Sequence, residues 1–163
     1  MKKVDQGSIW VDADACPVPI KETLFKAAQR TGIALTLIAN HSMRVPPGGH
    51  VRFILVPKGY DVADHRLLTE VIPGDLVVTQ DIPLAAELID KGAEVVSPRG
   101  EMFTPETIKA RLTMRDFMET MRASGVQSGG PAVLSSRDRQ RFAGVLDRFC
   151  QRQTRNAQKD ERH

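Results

Sequence analysis

Ile9-Trp10-Val11-Asp12-Ala13-Asp14-Ala15-Cys16-Pro17 is an apolar run that ends in two carboxylates and breaks on a proline. It reads as the first and central strand of a sheet, delivering Asp12 and Asp14 to one edge. Acidic residues spaced i, i+2 on a strand share a face, so their charges reinforce each other. Such a pair calls for a cation or a shared proton. The blander alternative is a helix cap, because Asp ahead of a proline-containing first turn is a common helix start.

Working outward, Pro17 to about Arg30 has the helical spacing of Ile20, Leu24, Phe25 and Ala28 and stops at Gly32. Ile33 to Ala39 reads as a second strand, followed by a loop with Arg44, Pro46, Pro47, Gly48 and Gly49, and Val51 to Val56 as a third. A helix over about Asp61 to Val71, a strand Leu76 to Thr79, a helix Pro83 to Lys91 and a strand Ala93 to Ser97 complete an alternating pattern. Such alternation predicts an α/β fold, a three-layer parallel sheet of about five strands with right-handed crossovers. C-terminal helices follow, from Pro105 to about Ala123, with Ile108, Leu112, Phe117 and Met121 inward, and from Ser135 to about Arg152, packing Phe142, Val145, Leu146 and Phe149. Ser124 to Pro131, rich in Gly and Ser, reads as a flexible link.

A chain of 163 residues with 41% apolar and 26% charged residues suits one ordinary globular domain and is neither disordered nor membrane-spanning by composition. That domain is expected over residues 1–152, with 153–163 a disordered basic tail, since the tail has almost nothing apolar to bury. Met1 to Asp5 leads into a polar turn without a signal-type apolar segment, so a cytoplasmic location is expected. Cys16 and Cys150 are the only cysteines and make neither a metal-type pair nor a disulfide framework. From Ser135 onward eight basic residues face four acidic ones, against 15 and 16 in the rest. This basic segment is either an attractor for an anionic polymer or a solvated helix face.

In parallel α/β sheets, ligands bind beyond the carboxyl ends of the strands. That edge collects Asp12 and Asp14, then Asn40, then Asp61 and Asp64, then Asp81, then Ser97 and Arg99. Asp61 and Asp64 stand at a helix start, where a cap or a site role fits Asp61 equally and a site role fits Asp64 better. Asp81 ahead of Ile82-Pro83 is also a plain N-cap candidate. Clustered carboxylates would repel unless a divalent metal neutralised them, and oxygen donors select Mg²⁺ or Mn²⁺. Arg44, Lys58 and Arg99 are candidate phosphate contacts at the same edge, with Asn40 as an orienting group. His41, His50 and His65 lack ligand spacing, Trp10 is expected in the core, and Tyr60 beside Asp61 is a candidate for stacking on a base.

Val11-Asp12-Ala13-Asp14-Ala15-Cys16-Pro17-Val18, the segment Val56-Pro57-Lys58-Gly59-Tyr60-Asp61-Val62-Ala63-Asp64 and Val78-Thr79-Gln80-Asp81-Ile82-Pro83-Leu84-Ala85 closely resemble the YaiI/YqxD family of uncharacterised bacterial proteins. The resemblance continues through Ser97-Pro98-Arg99-Gly100-Glu101 and Gly129-Gly130-Pro131, over about Ile9 to Gln151. That family resembles the PIN-like nucleases, which implies strand order 3-2-1-4-5 and an acidic metal site. Asp12 would match the strand-one aspartate, Thr79-x-Asp81 the strand-four motif, and Asp61 or Asp64 the middle acid. Asp14 departs from the common pattern, so the ligand within the first pair stays open.

The expected function is therefore a Mg²⁺- or Mn²⁺-dependent nuclease or phosphodiesterase, with RNA or another phosphodiester as substrate. Asp12, Asp14, Asp64 and Asp81 are the candidate catalytic residues, and the same four with Asp61 the candidate ligands; Thr79 joins the substrate contacts. A haloacid-dehalogenase-like phosphatase also fits Asp12-x-Asp14, but the one acid after the fourth strand falls short of the pair that class expects. A non-catalytic RNA-binding or regulatory protein is the third alternative. No membrane partner is expected, and oligomeric state is not legible.

Overall fold

In the computed structural model, residues 7–59, 61–123 and 133–161 are described, and they form a sheet between two helical layers. The elements are β1 (Ile9–Asp12), a single 3-10 turn (Ala13–Ala15), α1 (Val18–Thr31), β2 (Leu35–Ala39), β3 (Val51–Leu55), α2 (Val62–Glu70), β4 (Leu76–Val78), α3 (Ile82–Asp90), β5 (Glu94–Val96), β6 (Met102–Phe103), α4 (Pro105–Ala123) and α5 (Ser136–Glu161). The sheet order is β3-β2-β1-β4-β5-β6. The first five strands are parallel in the expected order, and β6 adds an antiparallel edge to β5.

Alternation along the central strands divides the core. Ile9, Val11, Leu76 and Val78 pack with Ile20 and Leu24 of α1 and Phe142 and Phe149 of α5. Trp10, Val77 and Val95 pack the other way, with Leu67 of α2, Leu84 and Leu88 of α3, and Ile108 of α4. Burial on both faces is why these strands read as nearly continuous apolar runs. Phe142 and Phe149 are fully buried, and at ~1.5–3 kcal/mol for each such side chain they make α5 a structural layer of the domain.

Local signals set the helix ends. Pro19 sits in the first turn of α1, where a missing N–H costs nothing, and Gly32 ends the helix with φ 75, a left-handed backbone. Between the parallel strands β2 and β3 no helix forms; the connection instead packs Met43 and Val45 onto the core on the α1 side.

One boundary differs from expectation. Rather than ending near Arg152 ahead of a disordered tail, α5 stays helical to Glu161. The composition argument overlooked Gln153, which is buried and accepts a hydrogen bond from the Gly7 backbone N at 2.7 Å. The link expected over 124–131, Tyr60, and the side chains of Phe117 and Met121 lie outside the described residues. Among the described residues no helix is long and apolar enough to cross a membrane.

Because β1 continues to β2 on one side and β4 to β5 on the other, the sheet changes direction between β1 and β4. The crevice beyond the carboxyl ends of these two strands is the place where such folds bind ligands.

Candidate functional site

β1 ends at Asp12, and Thr79 follows β4 directly. The buried Thr79 hydroxyl donates to Asp12 Oδ2 at 3.1 Å and accepts from the Asp81 backbone N at 3.1 Å. One hydroxyl thus ties together the acidic ends of two neighbouring strands. Burial pushes the Asp12 carboxyl above its ordinary range, the Thr79 bond pulls it back, and the charges of Asp14 and Asp81 push it up again.

Asp81 is the N-cap of α3, its Oδ1 accepting from Leu84 N at 3.0 Å. The plain capping role is therefore real, and it also fixes this carboxylate beside Asp12.

Asp61 occupies the N-cap position of α2, yet its side chain caps nothing. Its φ of 62 is the only positive value at a non-glycine among the described residues. Left-handed backbone is tolerated by Asp better than by most residues but still carries a cost. The cap explanation for Asp61 thus fails.

One turn on, Asp64 is half-buried, and its carboxyl is pushed up to about 6. Burial is the largest cause, followed by the charges of Asp81, Asp12 and Asp61 and a side-chain hydrogen bond with Asp61. Four carboxylates from three segments therefore act on one another. Asp61, Asp64 and Asp81 line a cavity of ≈ 350 Å³ together with His65 and Glu87, neither of which the motifs singled out.

Asp14 does not follow the strand geometry expected of it. After Asp12 the chain closes the 3-10 turn, with Cys16 N donating to Ala13 O, so alternation no longer applies. The Asp14 carboxylate instead accepts from Asn40 N at 3.0 and 3.3 Å and lies 2.7 Å from His41 Nδ1. Asn40 contributes its backbone here, and His41, set aside on spacing, is the side-chain partner. Gln80, also missed, anchors the same turn by donating to Ala15 O at 2.8 Å. The only sequence signal for either was position at a strand end.

Arg44 and Lys58 are exposed on the connections that follow β2 and β3. Arg99 points to the start of α5, donating to Asp138 Oδ2 of its first turn at 2.7 Å and to the carbonyl of Val133, ahead of the helix, at 3.4 Å. Ser97 serves its own turn, accepting from Arg99 N and Glu101 N. Cys16 is buried, and burial pushes its thiol up to about 12, the opposite of what a nucleophile needs.

The donor set is all carboxylate, which suits a hard divalent cation such as Mg²⁺ or Mn²⁺. As the side chains stand, no three His, Cys, Asp or Glu groups among the described residues make a ready ligand set. Asp14 is engaged with Asn40 and His41, Asp12 with Thr79, and Asp81 with its helix.

At the opposite end of the sheet sits an acid that the motifs did not reveal. Buried Asp75 accepts from Ser8 N, Trp10 Nε1 and Ile72 N at 2.9, 3.0 and 3.0 Å. It joins β1 to the turn before β4 and settles the indole N–H of a core tryptophan.

Among known proteins, the chain is 63% identical over 144 residues to a UPF0178 protein of Halorhodospira halophila, covering 88% of this chain and 95% of the relative. It is 57% identical over 144 residues to one of Syntrophotalea carbinolica, covering 88% and 97%. A Yersinia pestis UPF0178 protein is 57% identical over 151 residues, covering 93% and 99%. No solved structure matches. The family model described as "Uncharacterized BCR, YaiI/YqxD family" matches residues 10–152, a span that contains the whole acidic edge, and the chain belongs to that family.

Proposed function

We propose that the chain is a divalent-metal-dependent phosphodiesterase of PIN-like type, with RNA as its substrate. The observation that carries this reading is the mutual influence of Asp12, Asp61, Asp64 and Asp81 at the crevice between β1 and β4. Supporting it, the parallel strand order is the one that the PIN-like resemblance implies.

Asp12, Asp64 and Asp81 would hold Mg²⁺ or Mn²⁺, with Asp61 beside Asp64. Bound there, the ion would supply charge neutralisation and a water acidic enough to attack phosphorus at neutral pH. The chain's own residues do the positioning. Thr79 sets the Asp12 carboxylate and the α3 cap sets Asp81. In the absence of the ion, burial and the neighbouring carboxylates push Asp64 up to about 6, the repulsion that a bound cation would relieve. Arg44 and Lys58 are the candidates for holding phosphate oxygens. Asp14 braces the Asn40-His41 corner in place of a ligand role.

The test is cleavage of single-stranded RNA with Mn²⁺ by the wild type and by Asp12→Asn and Asp81→Asn variants of matched melting temperature. A loss of at least a hundredfold in both variants is expected. Equal cleavage by all three proteins would assign the activity to a contaminant and end the proposal.

A further inference from the structure

The face formed by α1 and α5 lies across the sheet from α2, α3 and α4, and the reaction proposed above uses none of it. Between the two helices runs a groove of three adjoining cavities of ≈ 370, ≈ 460 and ≈ 390 Å³. The first is bounded by Pro19 and Ser136, at the starts of both helices, and the last reaches Thr31 and Arg155. The groove therefore follows all of α1, roughly 20 Å at the helical rise. Small residues, Ala27, Ala143 and Gly144, keep its middle shallow-walled and accessible. Lys26, Arg30, Arg139 and Arg155 line it against only Glu22 and Asp147. Arg30 and Asp147 are 3.8 Å apart and pair with each other, and with both acids counted the lining still keeps two positive charges in excess.

We propose that this groove binds the backbone of a single-stranded nucleic acid and leads it to the acidic edge. Four cations spread over that length match a run of phosphates. The space between two packed helices is a surface furrow, and a flexible single strand can follow its floor where a stiff duplex would meet only its rim. No lining residue is aromatic, so phosphates are gripped while bases are left unstacked and unread. The one large apolar residue of the lining, Leu146, is buried in the core beneath it, so the groove presents no apolar side chain of the kind a membrane-bound helix face would insert. At its upper end the groove opens at Pro19, just beyond the turn that carries Asp14, so an occupying strand emerges at the crevice. The destination of that strand rests on the proposed function; the binding itself does not.

The experiment is fluorescence anisotropy of a labelled oligouridylate 12-mer with the full chain in EDTA, over a series of salt concentrations. The triple variant Lys26→Gln, Arg139→Gln, Arg155→Gln is expected to bind at least tenfold more weakly. Its dependence of log Kd on log salt should be shallower by about 2, from about 0.7 per lost phosphate contact. Glu22→Gln, which removes an opposing charge, should bind more tightly. Asp12→Asn should bind like the wild type, because no metal or cleavage is involved; this separates failure of the groove from failure of the proposed reaction. Unchanged affinity in both groove variants, or a duplex of equal length binding as tightly through the same residues, overturns the proposal.

Discussion

Thr79 Oγ1 lies 3.1 Å from Asp12 Oδ2 and donates to it, while the same oxygen accepts from the backbone N of Asp81. A side chain with almost no exposure thus couples the ends of β1 and β4. Replacing it by Val keeps the shape, leaves the Asp81 N–H without its acceptor and removes the bond that holds the Asp12 carboxyl down. Thr79→Val is expected to cost about 1–3 kcal/mol in denaturant unfolding. In the RNA cleavage assay it should lose at least tenfold, with Thr79→Ser restoring most of both. A Val variant that matches the wild type in stability and cleavage would show the hydroxyl to be incidental.

Asp64 makes the fold sensitive to pH in a direction opposite to that of a paired surface carboxylate. Its folded-state value of about 6 exceeds the ordinary aspartate value of 3.8, so the folded chain holds this proton more tightly than the unfolded chain does. Its destabilising effect is absent below about pH 3.8, grows up to about pH 6 and stays constant above. Asp64→Asn, measured in EDTA, should therefore raise the melting temperature at pH 7 and leave it unchanged at pH 3.5. After discounting for partial exposure the gain is about 1–2 kcal/mol. A variant less stable than wild type at pH 7 would mean that the neighbouring charges are already compensated.

How far the residues alone reach can be judged at particular positions. The parallel core was legible because strand-length apolar runs alternate with helical spacing, and the resemblance supplied the order in which the strands lie. β6 was not, since Met102 and Phe103 are too few to show a period. The acidic edge was legible as a set of strand ends, Asp14 included, but the side-chain partners of Asp14 were not, because nothing in Asp12-Ala13-Asp14 announces the 3-10 turn that ends the alternation. Its contact with His41 crosses between strand ends and leaves no spacing signature. Asp75, after Pro73-Gly74, looks like an ordinary turn residue until the chain brings Trp10 and Ser8 to it.

That buried network yields a stability prediction remote from the candidate site. Asp75→Ala strips the acceptors from three donors, Ser8 N, Trp10 Nε1 and Ile72 N. The cost is expected to reach about 3 kcal/mol or more, because buried donors left unpaired lose their solvation without return. Trp10 is the only tryptophan, so its fluorescence reports the local change directly. An emission maximum and an unfolding midpoint both identical to wild type would mean that water replaces the carboxylate at no cost.

The C-terminal helix supplies the last test. Composition alone argues that residues from Gln153 onward can be deleted without effect, but Gln153 is buried and its Oε1 holds Gly7 N at 2.7 Å. The Gly7 position is crowded as well: an added Cβ there would stand 2.6 Å from Gly74 O and 3.1 Å from the Phe149 ring. Gln153 thus closes the end of β1 against α5, over fully buried Phe149. Truncation after Arg152 is expected to lower stability by about 1–2 kcal/mol, from one lost hydrogen bond and the reopened Gly7 backbone. Gln153→Ala in the full chain should account for most of that loss. If truncation is costly while Gln153→Ala is neutral, the stabilisation comes from the helix beyond Gln153; if both are neutral, the contact contributes nothing.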